Sequence, residues 1–120
     1  MRRLSVVLCL ILTAMIASEA WAKRAGPKAV TPVVHNGVKY VAPNDNGREG
    51  KIEARDEKTS EKLWDVVIYR IKIAPSLEED VQWVFITGLA VQENALLVTN
   101  EKNEHFTLDL KTKKVEKKKP

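Results

Sequence analysis

The stretch LWDVVIYRIKI, residues 63–73, decides the fold class. Its apolar residues occupy both faces of an extended strand, since Trp64 and Val66 alternate with Val67. The stretch VQWVFITGLAV, residues 81–91, repeats the pattern. β-Branched and aromatic residues favour strands, and apolar residues on both faces predict two central strands that are covered on both sides.

Shorter strand patterns and turn signals surround these two stretches. Asn36-Gly37 between two apolar runs is typical of a tight hairpin, because both central residues of its turn need positive φ. Further strands are predicted at 38–42, 51–55, 96–100 and 105–110, with a weaker one at 30–35. The class is therefore all-β, as a small twisted antiparallel sheet of six to seven strands, blade-like and folded as a sandwich or an open barrel.

One segment carries a helical signal. Ser76 and Glu79 have the spacing of a capping box, in which each side chain bonds the backbone of the other residue. This predicts a single helical turn near residues 76–80, linking the two long strands.

The N-terminus has the pattern of an export signal. Arg2 and Arg3 precede an apolar run at 4–16, and Ala20-Trp21-Ala22 supplies the small residues that signal peptidase recognises. The run is shorter than the roughly 20 residues that span a bilayer. We expect a helical Sec-type signal peptide at 1–22, cleavage before Lys23, and a periplasmic or extracellular protein with no transmembrane segment. An uncleaved anchor or a buried helix is the alternative.

Splitting the net charge of +4 by position changes its meaning. Residues 1–22 carry +1, residues 23–110 carry −2 and residues 111–120 carry +5. The sequence therefore predicts a flexible segment at 23–29, a single β domain at 30–115 and a basic, disordered tail at 116–120. A slightly acidic body does not indicate nucleic-acid binding, although the lysines could attract an anionic surface. The single cysteine, Cys9, precedes the expected cleavage site, so thiol chemistry and disulfides are excluded after it.

A short motif occurs twice. Asp56-Glu57-Lys58-Thr59 and Asp109-Leu110-Lys111-Thr112 share D-x-K-T at an offset of 53 residues, each after a predicted strand. The aspartate is suited to accept backbone N–H bonds within a turn, which the threonine hydroxyl closes. The motif predicts a hairpin element and no reactive site.

The first copy resembles the docking motif of quinoprotein-type (PQQ-like) β-propeller repeats, A-x-D-x-x-T-G-x-x-x-W. The matching residues are Ala54, Asp56, Thr59 and Trp64, with Ser60 at the glycine position. The second copy keeps Asp109 and Thr112 but has Lys113 and Lys117 at the glycine and tryptophan positions. The mature segment also looks similar to small exported bacterial proteins that carry one such blade-like unit.

The resemblance implies a blade-like unit and no cofactor. A propeller needs at least four blades of four strands, so this chain alone is too short to close one. The family's quinone lies on the axis of a complete ring, and no cofactor-binding residue is carried over. What remains is a sheet that folds on itself as a small sandwich or open barrel, or one that a partner chain completes.

Other candidate sites are better explained by structure. His35 and His105 stand beside turns and lack neighbours at metal-binding spacing, and the acids of 78–80 suit a first helical turn. The sequence around Asp45 has its glycine misplaced for a calcium loop. With no phosphate-binding loop and no nucleophile elbow, neither catalysis nor a metal or cofactor is expected.

Two functions remain open. The first is a non-catalytic exported interaction module that pairs with another envelope protein or with itself through sheet edges. The second is a small apolar-ligand carrier whose ligand faces Trp64, Trp83 and Tyr69, although aromatic residues at strand spacing more often form core. A less favoured third is binding to anionic surfaces through the lysine-rich tail.

Overall fold

The structure is a computed structural model that describes residues 26–119, and these residues form an all-β fold. The strands are β1 (Val33–His35), β2 (Val38–Val41), β3 (Glu49–Asp56), β4 (Lys62–Arg70), β5 (Ile86–Gln92), β6 (Ala95–Asn100), β7 (His105–Asp109) and β8 (Val115–Lys117). One 3-10 turn, Asp80–Gln82, precedes β5. The class was predicted correctly.

The strands form two four-stranded antiparallel meanders. The first sheet has the order β1-β2-β3-β4 and the second the order β5-β6-β7-β8. The sequence predicts six to seven strands in one folded sheet. The described part of the chain instead has eight strands in two sheets. The missing strand is β8, whose sequence Val-Glu-Lys is too short and too polar to register as a strand pattern.

The prediction of two central, doubly covered strands is wrong. β4 and β5, which hold most of the two apolar stretches, are edge strands of their sheets. Residues 71–73 and 83–85, which the pattern assigned to strands, lie in the connection between the sheets. In these two stretches both odd- and even-numbered positions are apolar, because the segments pack against the connecting loop and the other sheet as well as within their own sheet.

The two sheets share one core but bury opposite faces. In the first sheet β3 buries Ile52 and Ala54, which lie on the same face as Asp56. In the second sheet β7 buries Phe106 and Leu108, which lie on the face away from Asp109. When the two units are aligned on the D-x-K-T motif, Asp56 corresponds to Asp109. The buried face of the first sheet then corresponds to the outer face of the second. The two units therefore pack head to tail, one unit's front on the next unit's back, as in a heterologous interface.

The buried residues come from both meanders. Tyr40 and Ile68 of the first sheet pack in the same cluster as Ile86, Leu96 and Val98 of the second. The burial in β3 and β6 alternates strictly between half-buried and buried positions, the period of two that one covered face imposes. One continuous apolar core therefore holds both units together.

The connection between the sheets corrects the helical prediction. The 3-10 turn begins after Glu79, two to four residues beyond the expected position, and no side chain caps it. The Ser76–Glu79 capping box is absent because the Glu79 carboxylate is bound instead by the guanidinium of Arg48, a residue distant in sequence.

The described ends of the chain bear on the predicted boundaries. The predicted boundary between domain and tail at residue 115 falls within β8, so Glu116 and Lys117 belong to the sheet. Residues 26–29 are exposed and have no regular structure. The predicted signal peptide at 1–22 lies outside the described residues. Among residues 26–119, no helix is long and apolar enough to cross a membrane.

Candidate binding surfaces

The two D-x-K-T motifs form turns with matching hydrogen bonds. Oδ1 of Asp56 accepts the N–H groups of Lys58 at 2.8 Å and Thr59 at 2.9 Å. Oδ1 of Asp109 accepts those of Lys111 and Thr112 at the same two distances. The prediction that the aspartates close turns is confirmed for both copies.

The threonines and the flanking backbone repeat as well. Each threonine hydroxyl accepts the N–H two residues on, at 3.3 Å in both copies. The N–H after each aspartate is donated to the preceding hairpin, from Glu57 to Gly37 at 3.0 Å and from Leu110 to Asn94 at 2.9 Å. The backbone N–H bonds to each carboxylate lower the pKa of Asp56 and of Asp109 below the usual value. One carboxylate oxygen of each aspartate and each threonine hydroxyl are thus engaged in the turn, as in a structural element.

The residue at the glycine position of the motif has a left-handed backbone in both copies. Ser60 has φ 65° and Lys113 has φ 64°, in the left-handed region where glycine is least strained. In the second copy the lysine side chain reaches across to the first unit, and its Nζ lies 4.7 Å from the ring centre of Trp64. The non-glycine residue therefore brings a contact between the units.

Trp64 is a packing residue. It stands opposite the fully buried Ala54 in the β3–β4 pair and its ring centre lies 6.0 Å from that of Tyr40. It packs half-buried against the common core. The prediction of Trp64 as a ligand-facing aromatic stays a prediction.

Tyr69 joins the two units. Its ring stacks on Phe106 of the second sheet at 5.3 Å, and its hydroxyl donates to the carbonyl of Val84 at 2.7 Å. Burial raises the pKa of the Tyr69 hydroxyl well above its usual value. The phenol is consequently a neutral donor with its partner inside the protein.

Trp83 is the third predicted aromatic and lies in the loop before β5. Its Nε1–H donates to Glu79 Oε2 at 3.0 Å, and Arg48 binds the same carboxylate. The hydrogen bonds from Arg48 and from Trp83 lower the pKa of Glu79 to about 2. Trp83 lines a cleft together with Lys72 and Lys102.

Two glycines seat these aromatics and were not anticipated. A Cβ on Gly50 would overlap the ring of Tyr69, and a Cβ on Gly47 would overlap Trp83. Both glycines have ordinary negative φ, so a turn signal could not reveal them. Gly47 lies in a turn and Gly50 in β3, and neither position signals in the sequence which ring it seats.

Asn44 and Asn100 were also missed. The side-chain amide of Asn44 donates to the carbonyl of Ile86 at 2.9 Å and accepts its N–H at 3.0 Å, which ties the first unit to the start of β5. Asn100 is 1% exposed, and its Oδ1 accepts the N–H groups of Lys102 and Glu104 at 3.0 Å each. Asn100 therefore closes the β6–β7 turn much as the aspartates close theirs.

The remaining sequence candidates have structural surroundings. His35 ends β1 with Nε2 at 3.2 Å from the Asn36 amide, and Nδ1 of His105 lies 3.2 Å from the Thr99 hydroxyl. Asp45 lies in the loop before β3. Within residues 26–119, no three His, Cys, Asp or Glu side chains are grouped to hold a metal ion.

The outer faces of the two sheets differ in polarity. That of the first sheet carries ion pairs, including Arg55–Glu53 at 2.8 Å and Lys62–Asp65 at 2.8 Å. In the second sheet, Thr107 pairs with Glu116 on the outer face, but Leu97 and Ala90 lie beside Thr107 on the same face. The charged outer face therefore belongs to the first sheet.

The outer edge of the first sheet is different. β4 is nine residues long and pairs on one side with β3. Its central run, Val66 to Tyr69, has no charge, and Leu63 is 49% exposed. The other outer edge, β8, has only three residues.

No protein-family model matches the chain, and no curated protein is significantly similar to it.

Proposed function

We propose that the chain is an exported, non-catalytic interaction module that binds a partner strand at the free edge of β4. The observation that carries the proposal is the side of this strand that pairs with no other strand of residues 26–119. An edge strand presents a row of N–H and C=O groups without partners, and a long one with few charges is a template for another strand. Of the four edge strands in the described residues, β4 is the longest.

The charged outer face of the first sheet supports pairing at its edge in preference to packing on its face. The charged network around Glu53 would have to be desolvated if another sheet packed on the first sheet, and burying paired charges is costly. Pairing along β4 would leave that network in water. Of the charges of β4 itself, Lys62 and Arg70 are its terminal residues, and Asp65 directly precedes the uncharged run at 66–69.

The quinoprotein-type resemblance enters the proposal through architecture alone. Its support is the repeated D-x-K-T turn and the head-to-tail packing of two four-stranded meanders, an arrangement that propellers also use. Two such units cannot enclose an axis, which fits a module that works by association. The partner is a second copy of the chain or another envelope protein with an exposed strand.

In-cell photo-crosslinking tests the proposal. A photoreactive phenylalanine analogue would replace Leu63 on β4 or, as the matched control, Val34 on β1, since both side chains are 49% exposed and belong to the same sheet. The proposal predicts a discrete adduct from position 63 and none from position 34. The mass of the adduct distinguishes self-association from a different partner.

A second substitution ties the adduct to strand pairing. Val67→Lys beside the probe should remove it, because a charge at the centre of an edge strand opposes pairing. Equal adducts from positions 34 and 63 would contradict the proposal. So would the absence of any adduct together with a monomeric mass by light scattering at high concentration.

A further inference from the structure

A cleft of about 260 Å³ lies where the two units meet, beside the β1–β2 hairpin. Its walls come from that hairpin and β2 on one side, and from the β5–β6 turn and the second D-x-K-T turn on the other. The residues that line it include Asn36, Val38, Tyr40, Asn94, Leu110 and Lys111. The volume is below that of sites for drug-sized ligands, so the cleft suits a smaller molecule. No residue of β4 lines it, and it is therefore independent of the β4 edge.

Tyr40 brings a hydroxyl without a partner to this cleft. The residue is 4% exposed, and its hydroxyl forms no hydrogen bond with any of residues 26–119. Burial raises the pKa of this phenol above its usual value, so it is a neutral donor. No fully buried side-chain oxygen or nitrogen in this part of the chain lacks a partner. The hydroxyl thus keeps a small exposure, and the cleft that Tyr40 lines is where an acceptor can reach it.

The charge of the cleft favours an anion. Lys111 is exposed, and its ammonium lies within 4 Å of no carboxylate among residues 26–119. No carboxylate of these residues lines the cleft, whereas His35 and the side-chain amides of Asn36 and Asn94 do. Asp109, close to Lys111 in sequence, accepts the N–H groups of its own turn with Oδ1. One ammonium group and several neutral donors match a singly charged acid.

Backbone hydrogen bonds fix both walls of the cleft. On the side of the second sheet, the N–H of Leu110 donates to the carbonyl of Asn94 at 2.9 Å. On the other side, the carbonyl of Gly37 in the hairpin accepts the N–H of Glu57 at 3.0 Å. The cleft therefore has its shape before any ligand binds, which reduces the ordering cost of binding.

From this arrangement we infer that the cleft binds a short-chain monocarboxylate. The Tyr40 hydroxyl donates to a carboxylate oxygen, and Lys111 pairs with the charge of the acid. The half-buried Val38 and Leu110 contact the hydrocarbon chain. These two apolar side chains favour a carboxylic acid over an inorganic oxyanion, which has no apolar part.

The probe is butyrate, with butyramide as the neutral control ligand. Binding is followed by NMR through the side-chain amide signals of Asn36 and Asn94, which come from opposite walls. Tyr40→Phe removes the hydroxyl and keeps the ring. Lys111→Met removes the charge, and Lys58→Met is its matched control. Lys58 holds the same position in the first D-x-K-T turn but does not line the cleft.

We expect butyrate to shift both amide signals and to bind about fivefold more weakly to Tyr40→Phe, as the loss of one hydrogen bond implies. It should bind about threefold more weakly to Lys111→Met, as for an exposed ion pair. Lys58→Met keeps the wild-type affinity, and butyramide binds Lys111→Met as it binds the wild type. Tyr40→Phe keeps the wild-type urea midpoint, because its hydroxyl has no partner in the fold to lose.

Several results would overturn the inference. One is that both amide signals stay in place at tens of millimolar butyrate. Another is a wild-type affinity of Tyr40→Phe for butyrate, or an equal loss of affinity in the two lysine variants. A lowered urea midpoint for Tyr40→Phe would show that the hydroxyl already has a partner within the fold. Inorganic phosphate that binds as tightly as butyrate would contradict the choice of a carboxylic acid.

Discussion

Lys113 Nζ lies 4.7 Å above the ring of Trp64, so the second D-x-K-T turn touches the first unit through the residue at the motif's glycine position. The equivalent residue, Ser60, has the same left-handed backbone but no comparable ring contact among the described residues. A cation over an indole contributes about 0.5–1 kcal/mol, and a left-handed non-glycine residue costs about 1 kcal/mol. The contact therefore offsets much of the backbone strain at Lys113.

Substitutions at these two positions separate the two effects. Lys113→Met keeps the strain and removes the cation, and should lower the free energy of unfolding by about 0.5–1 kcal/mol. Ser60→Gly removes strain alone and should raise it by about 1 kcal/mol. Urea unfolding measures both. An unchanged midpoint for Lys113→Met would show that the contact with Trp64 contributes nothing.

Gly50 and Gly88 form a matched pair in strands of the two sheets. A Cβ at Gly50 would overlap the ring of Tyr69, whereas a Cβ at Gly88 would meet nothing within 4 Å. Gly50→Ala should lower the free energy of unfolding by about 1–3 kcal/mol, as overpacking does. Gly88→Ala should raise it by about 0.5 kcal/mol, because alanine loses less backbone entropy. Equal effects of the two substitutions would refute the role of Gly50 as the seat of Tyr69.

The aspartate turns should make stability depend on pH. The folded-state pKa values of Asp56 and Asp109 are lowered by backbone N–H donors. Their contribution is therefore present above the unfolded value of about 3.9 and is lost as the pH falls through the lower folded values. Asp56→Asn/Asp109→Asn keeps an acceptor oxygen and removes the charge.

The double variant should unfold at lower urea concentration than the wild type at pH 7. The difference in midpoint should narrow as the pH drops below about 3.9, because the carboxylates of the unfolded wild type then take up protons, and it should disappear below the lower folded values. Urea titrations at several pH values measure it. A difference that stays constant with pH would assign the effect to something other than the two charges.

The predicted signal peptide determines which residue begins the exported protein. If residues 1–22 are a signal peptide, protein recovered from the periplasm or medium begins at Lys23, and intact mass spectrometry reads this directly. Ala20→Leu/Ala22→Leu should block processing, because signal peptidase needs small residues there. Secreted protein that retains Met1 would contradict export by cleavage.

Most elements of the fold could be predicted from residues that are close in sequence. The Asn36-Gly37 hairpin, the two D-x-K-T turns and the strands β2, β3, β6 and β7 could all be predicted, because each depends on residues close in sequence. The edge positions of β4 and β5 could not, since periodicity reports burial and does not report which strand lies beside another.

The candidate surfaces were harder to predict for the same reason. Glu79 was read as a capping residue, but its partner Arg48 is 31 residues away. Tyr69 and Trp83 are both predicted as ligand-facing; Tyr69 is held by Val84 and Phe106, and Trp83 lines a cleft. Aromatic composition could not distinguish these two roles, because both need a large side chain with a polar atom.

Amide hydrogen exchange of β4 tests the proposed interaction most directly. It would compare the isolated monomer with the crosslink-defined complex formed with the partner or the second copy. We predict that amides at 66–69 exchange more slowly in the complex, because those that point away from β3 gain a hydrogen-bond partner, while β1 and β8 keep their rates. Unchanged exchange across β4, with protection appearing elsewhere, would contradict strand pairing at this edge.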